Sequence, residues 1–161
     1  MIARHVMLLP DPDSPTRPTT SLDVTIQDQI LHLLLDLRTD TGMSIVLVSH
    51  DMGVIAQTCD RVAVMYAGYI VEAGTVGEIF ARPRHPYTRA LLEAIPRLET
   101  GREAGELRAI PGQPPDLARL EGGCPFRPRC PAAREECAAV PMDLLRVAPG
   151  HVSACPFEGA P

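Results

Sequence analysis

Residues 18–50 read PTTSLDVTIQDQILHLLLDLRTDTGMSIVLVSH, and this stretch leaves the chain few folds to choose from. Ile26, Ile30, Leu33, Leu34 and Leu37 recur at helical spacing, with Gln27, Asp28, Asp36 and Arg38 left for the wet side. Ahead of them lies a polar turn, residues 19–23, in which Asp23 is the candidate N-cap because its carboxylate can accept from an otherwise unpaired amide of the first turn. Gly42 can take the positive φ that closes a helix. Residues 44–48, SIVLV, are apolar on both faces and β-branched, the pattern of a parallel strand covered by helices on each side. His50 then falls just past the carboxyl end of that strand, where open α/β sheets place their ligands. The fold class is expected to be α/β.

Downstream, residues 51–59 suit a short helix, and residues 61–65 and 69–72 read as a hairpin turning at Ala67-Gly68. Thr75 and Glu78 have capping-box spacing, and Pro86 can open a helix over residues 87–95. From about Glu99 the composition shifts to Gly, Pro, Arg and Glu, which sets a boundary between residues 1–98 and 99–161. The later part has no sustained periodicity and is expected to be held by something other than a core. Gly122-Gly123 is read as linker. Aromatics make up 4% of the chain and Trp is absent, so branched aliphatics are expected to do the packing. The net charge of −5 gives nucleic-acid binding no basic face. No apolar run approaches the ~20 residues of a spanning helix, and the first residues lack a signal peptide's pattern. The expectation is a soluble, cytoplasmic protein that reaches a membrane only through a partner.

Four of the five cysteines, Cys124, Cys130, Cys137 and Cys155, have the spacing C-x5-C-x6-C-x17-C, while Cys59 sits in an apolar setting and is expected in the core. Four thiolates can bind a [4Fe–4S] cluster, bind zinc, pair as two disulfides, or stay unmetallated as small hydrophobes. A cytoplasmic setting disfavours the disulfides. The spacing lacks the C-x2-C pair of a zinc ribbon. Pro125, Pro131 and Pro156 follow three of the cysteines directly and stiffen their loops. Arg127, Arg129 and Arg134 would offset the negative charge of a thiolate-ligated cluster. His5 and His32 are expected to be plain exposed residues, and His85 and His151 receive no chemical role.

In order and spacing, PTTSLDVTIQ, GMSIVLVSHDMGVIA, CDRVAVMYAG, HPYTRALLEAIPRL and IPGQPPDL resemble the second half of an ABC-transporter ATP-binding subunit. The subfamily is the one that powers oligopeptide and dipeptide import, and the resemblance runs from Pro18 through the cysteine tail. It implies that Ser21, Leu22 and Asp23 are a D-loop reaching across a nucleotide-sandwich dimer. It implies that His50 is a switch histidine hydrogen-bonding the γ-phosphate, with ATP and Mg²⁺ as cofactors. It also favours the [4Fe–4S] cluster over zinc. Implied partners are transmembrane permease subunits and a second ATP-binding subunit, on the inner face of the plasma membrane. In domain terms, residues 1–98 resemble part of an ABC ATPase core and residues 99–161 the family's C-terminal extension.

The chain departs from the family in its first residues. There the family has a buried strand ending in Asp-Glu, the Asp holding Mg²⁺ through water and the Glu activating the attacking water. Thr16 and Arg17 stand at those positions, after a proline-rich run, residues 9–15, that cannot be a central strand. An arginine cannot serve as a general base. Asp11 and Asp13 read as a solvated acidic loop. Neither a G-x-x-x-x-G-K-[ST] loop nor an LSGGQ-like signature is present. The polypeptide alone is therefore expected neither to bind ATP tightly nor to hydrolyse it. The rival expectation is a non-catalytic, metal-bearing interaction module, or the relic of a disrupted gene. One back-translation of residues 7–17, read in a shifted frame, gives A-A-A-R-P-R-L-P-D-E, close to the family's wording before PTT. Sequencing the gene is expected to reveal compensating insertions or deletions flanking these codons; shifted frames that resemble nothing would refute that origin.

Overall fold

The computed structural model of the protein describes residues 6–8, 21–95 and 109–157. In chain order the elements are β1 (Val6–Leu8), α1 (Ser21–Thr41), β2 (Leu47–Val48), α2 (Met52–Thr58), β3 (Arg61–Tyr66), β4 (Tyr69–Thr75), α3 (Val76–Ala81), α4 (Pro86–Glu93), β5 (Leu145–Ala148) and β6 (His151–Ser153). They build one mixed six-stranded sheet in the order β2-β1-β3-β4-β6-β5. Strand β1 runs parallel to both β2 and β3, and the pairings β3–β4, β4–β6 and β6–β5 are antiparallel. The α/β expectation holds at this level.

Local chemistry accounts for most of the boundaries. Gly42, at φ 69°, closes α1 with its amide donating to the Arg38 carbonyl at 2.8 Å. Asp51 caps α2, accepting from the amides of Gly53 and Val54 at 2.8 and 3.1 Å. Ala67 and Gly68, at φ 49° and 84°, make the tight turn of the β3–β4 hairpin, whose twist requires two left-handed residues. The expected capping box forms: the Glu78 amide donates to Thr75 Oγ1 at 3.2 Å, and the Thr75 amide donates to Glu78 Oε2 at 3.0 Å. Pro86 is the first residue of α4, as expected.

Several expectations fail. The residues before Pro18 do supply a central strand, but at Val6–Leu8, ahead of the prolines. Thr16, Arg17, Asp11, Asp13 and His5 lie outside the described residues. Helix α1 already runs at Ser21, so Asp23 is inside it and is not its N-cap. The buried side of α1 is also rotated from the one expected. Leu31, Leu34 and Leu35 face a crevice with Ile45, Leu47, Thr58 and Cys59, whereas Ile26, Ile30, Leu33 and Leu37 are 45–70% exposed. Strand β2 is the sheet's edge, not a covered central strand, and Val46 and Val48 are exposed.

The tail was expected to lack both regular structure and a core. Instead β6 pairs with β4, and β5 with β6, extending the sheet. Phe126, with no exposed surface, sits in the central cluster with Ile55, Val62, Val64, Val71 and Ile79. Three of the chain's six Phe and Tyr residues meet there: Phe126 lies 5.3 Å from both Tyr66 and Tyr87, which are 4.5 Å from each other, centroid to centroid. Aromatic packing thus joins the aliphatics in the core. Arg129 adds a clamp, donating to the carbonyls of Pro111 (2.8 Å) and Ile110 (3.1 Å) and to the Tyr66 hydroxyl (3.2 Å).

Phe126→Ala is expected to lower unfolding stability by about 3–5 kcal/mol, the usual cost of emptying a filled aromatic site. Denaturant unfolding checks this, and a loss under about 1 kcal/mol would mean that the tail does not pack on the sheet.

A candidate cysteine centre beside the sheet

Cys124, Cys130, Cys137 and Cys155 line one cavity, together with His85, Pro86, Phe126, Arg127, Arg134 and Phe157 among others. Its walls are otherwise largely apolar, and among the described residues no carboxylate lines it. All five cysteines of the chain are free thiols. Three short pieces of backbone bring the four together. Cys124 and Cys130 flank the 3₁₀ turn Arg127–Arg129, whose closing bonds run from Arg127 N to the Cys124 carbonyl and from Cys130 N to the Arg127 carbonyl. Cys137 lies in a second 3₁₀ turn, Glu135–Ala138, and its carbonyl accepts from Cys124 N at 2.9 Å. Cys155 follows β6, its amide donating to Ser153 Oγ at 3.2 Å.

Gly123 makes that meeting possible. It has φ 83°, and a Cβ there would fall 2.3 Å from the Cys137 carbonyl oxygen. The residue read as linker is a close backbone contact, which a side chain would wedge apart.

Burial sets the thiol chemistry. The pKa values of Cys124, Cys130 and Cys155 are all raised, first by removal from water and then by the neighbouring thiols. The Arg134 amide approaches Cys137 Sγ at 3.4 Å, and the Arg134 guanidinium stacks 4.7 Å from the centroid of the Phe157 ring. The Cys155 thiol is directed at the Phe157 carbonyl, 3.6 Å away. Among the described residues no group of three or more His, Cys, Asp or Glu side chains is placed to hold a metal ion. The thiols ring the cavity wall and do not close on one point.

Three residues given no role in the sequence reading support this wall. Glu72 on β4 has no exposed surface, yet it accepts from Arg84 N (2.7 Å) and His85 N (2.9 Å) and pairs with His151 Nε2 (2.7 Å). His85 is 1% exposed and caps α4, its Nδ1 accepting from Tyr87 N at 3.1 Å. Burial lowers the His85 pKa to about 4, so the ring is neutral. His151 opens β6, the strand that leads to Cys155. The one local signal available was the HPY order, a histidine before a helix-opening proline.

At the far edge of the sheet, His50 is exposed, two residues beyond the end of β2. It does not cap α2, since Asp51 does. Ser21, Leu22 and Asp23 lie in the first turn of α1, where only their backbone is described. His32 is exposed, as expected, 3.5 Å from Asp28. Cys59 is partly buried against the core. No helix among the described residues is long and apolar enough to cross a membrane.

Residues 71–137, from β4 through the third cysteine, match the family described as the oligopeptide/dipeptide transporter, C-terminal region. Over 155 residues, 96% of its length, the chain is 46% identical to the oligopeptide transport ATP-binding protein OppD of Salmonella typhimurium, of which that covers 45%. It is 44% identical to the Escherichia coli OppD over the same share of its length. It is 46% identical to a probable peptide ABC transporter ATP-binding protein of Sinorhizobium fredii, covering 46% of that protein. The small mixed α/β domain is thus of the kind found at the C-terminal end of ABC-transporter ATP-binding subunits. The chain is similar to the C-terminal portion of those peptide-importer subunits and spans a little under half of the curated relatives' length.

Gly123→Ala is expected to destabilise the chain by about 2 kcal/mol or more, from the strained φ and the backbone clash together. It should also expose the thiols to Ellman's reagent; unchanged thiol reactivity would contradict the contact. For His85 the sign follows from its depressed pKa. The unfolded ring takes up a proton below its ordinary 6.5, while the folded ring resists until about pH 4. Stability is therefore full above pH 6.5 and falls through that window, by about 3 kcal/mol from this residue at the acid end. The difference in unfolding free energy between the protein and His85→Asn, measured from pH 7 to 4, should show that slope.

Proposed function

We propose that the chain is the rear portion of an ATP-binding subunit that drives peptide import, and that nucleotide chemistry requires the portion that would carry the phosphate-gripping loop. The observation carrying this reading is helix α1, which is apolar on two sides. Leu31, Leu34 and Leu35 pack inward, while Ile26, Ile30, Leu33 and Leu37 remain open, and β2 offers a bare edge beside them. Apolar side chains left open beside an unpaired strand edge suit a surface that a larger body covers. The shared relatives, all roughly twice as long, support the same view.

In the completed subunit His50, beyond the end of β2, is the group for the γ-phosphate, and Ser21 and Asp23 contact the opposite subunit of an ATP-bound dimer. ATP and Mg²⁺ are the cofactors, and permease subunits on the inner face of the plasma membrane are the partners. Dimer closure and reopening would then rock those permeases. The domain division stands as proposed: residues 1–98 as part of the ATPase core, residues 99–161 as the extension.

The cysteine cavity is read as the seat of a [4Fe–4S] cluster held by Cys124, Cys130, Cys137 and Cys155. The donor set supports it: soft sulfurs, a largely apolar wall and the cations Arg127 and Arg134, which suit an anionic thiolate centre. Such a cluster supplies a one-electron centre and a cross-link between the two 3₁₀ turns and β6. Binding it requires the buried thiols to lose their protons.

A second reading draws on one specific feature. No residue of α1 or β2 lines the cavity, so a metal-bearing interaction module could outlast the loss of ATPase function.

Two measurements test these readings. Isothermal titration of the purified chain with ATP is expected to give no micromolar binding, and micromolar affinity would overturn the incomplete-subunit reading. Anaerobic purification is expected to give a brown protein absorbing near ~400 nm, bleached in Cys130→Ser. A colourless protein with stoichiometric zinc would overturn the cluster.

A further inference from the structure

Arg82, Arg84 and Arg89 stand close together in a chain whose net charge is −5. With Phe80 and Leu92 they line an open groove of about 460 Å³ between the end of α3 and the side of α4, a size in the range of small-ligand sites. Glu93 is the one carboxylate on its wall among the described residues, so the groove is positive in an acidic molecule. The backbone that presents the first two arginines is fixed. The Arg82 amide closes α3 on the Glu78 carbonyl at 2.8 Å, and the Arg84 amide meets the buried Glu72 carboxylate at 2.7 Å. Pro83 and Pro86 restrict φ within the same short connection. Among the described residues neither Arg82 nor Arg84 makes an ion pair, although Arg84 is half-buried. A cation partly withdrawn from water beside like charges carries a cost that an anion would offset.

We propose that this groove is an oxyanion site that takes the phosphate group of a phosphate monoester. A guanidinium is a planar fork that meets two oxygens at once, and one carboxylate satisfies one fork. A phosphate monoester carries about −1.5 to −2 charges at neutral pH and has oxygens for two forks. Arg82 and Arg84 supply those forks, Arg89 adds a third positive charge, and Phe80 and Leu92 offer an apolar surface to the rest of the ligand. The site depends on neither the cluster nor the nucleotide reading.

The test uses the full chain with its arginines labelled in nitrogen-15, titrated with inorganic phosphate at constant ionic strength set by chloride. The side-chain Nε–H signals of Arg82 and Arg84 are expected to move along a saturating curve, while that of Arg119, exposed beside Asp116, stays in place. Shifts that never saturate, or that appear equally at Arg119, would mean ordinary counter-ion screening and overturn the site. In the double variant Arg82→Gln, Arg84→Gln the affinity should fall at least tenfold; undiminished affinity also overturns it. The unfolding temperature in chloride should not change, because the Arg84 amide and not its guanidinium meets Glu72. Two further probes separate the sources of the phosphate. Binding to phosphatidic acid vesicles but not to phosphatidylcholine vesicles, lost in the double variant, supports the site and assigns a lipid headgroup. Saturable binding of glycerol 3-phosphate with no binding to either vesicle supports it and assigns a soluble ester.

Discussion

A carboxylate withdrawn wholly from water is expensive unless its oxygens are met by donors, and Glu72 is met three times. Those three contacts, with the packing of Phe126 and the Arg129 clamp, tie the late segment of the chain to the sheet. The amides of Arg84 and His85 fix the turn that launches α4, and His151 fixes the start of β6 against β4. Glu72 and Ser153 are paired in register, so backbone and side chain agree on where the late strand lies. Removing the carboxylate would leave two amides and an imidazole without acceptors in a dry place, at once loosening the cavity wall at His85 and the approach to Cys155.

What could be read from the sequence follows a physical division. Gly42, Ala67-Gly68, the Thr75–Glu78 box and Pro86 act within a few residues of themselves, and each was legible because its chemistry is local. The Glu72–His151 contact spans 79 positions, and nothing near either residue announces it. The β4–β6 pairing escaped for the same reason, and β6 is only three residues long, too short to show alternation. Phe126 lies between prolines and cysteines, so its neighbours spoke for a loop although its side chain fills the core. The cysteines themselves were legible as a set. Their supports, Gly123 and His85, were not, because each is defined by what it touches across the fold.

Helix α1 shows how a correct element can carry a wrong face. Its apolar residues recur on more than one side, so periodicity identifies the helix but cannot say which stripe meets this sheet. The crevice side carries Leu31, Leu34 and Leu35; of the stripe read from the sequence as the core face only Leu34 lies there, and Ile26, Ile30, Leu33 and Leu37 are left open.

That open stripe adjoins the bare edge of β2, where Val46 and Val48 are 67% and 52% exposed. An unpaired edge with apolar flanks invites pairing with any strand that comes near. Proteins that function with such an edge keep it covered, by more sheet or by a helix laid over it. The opposite edge, β5, also has no strand beyond it among the described residues, with Leu144 and Leu145 exposed, although the sheet behind it is tied together through Glu72, Phe126 and Arg129.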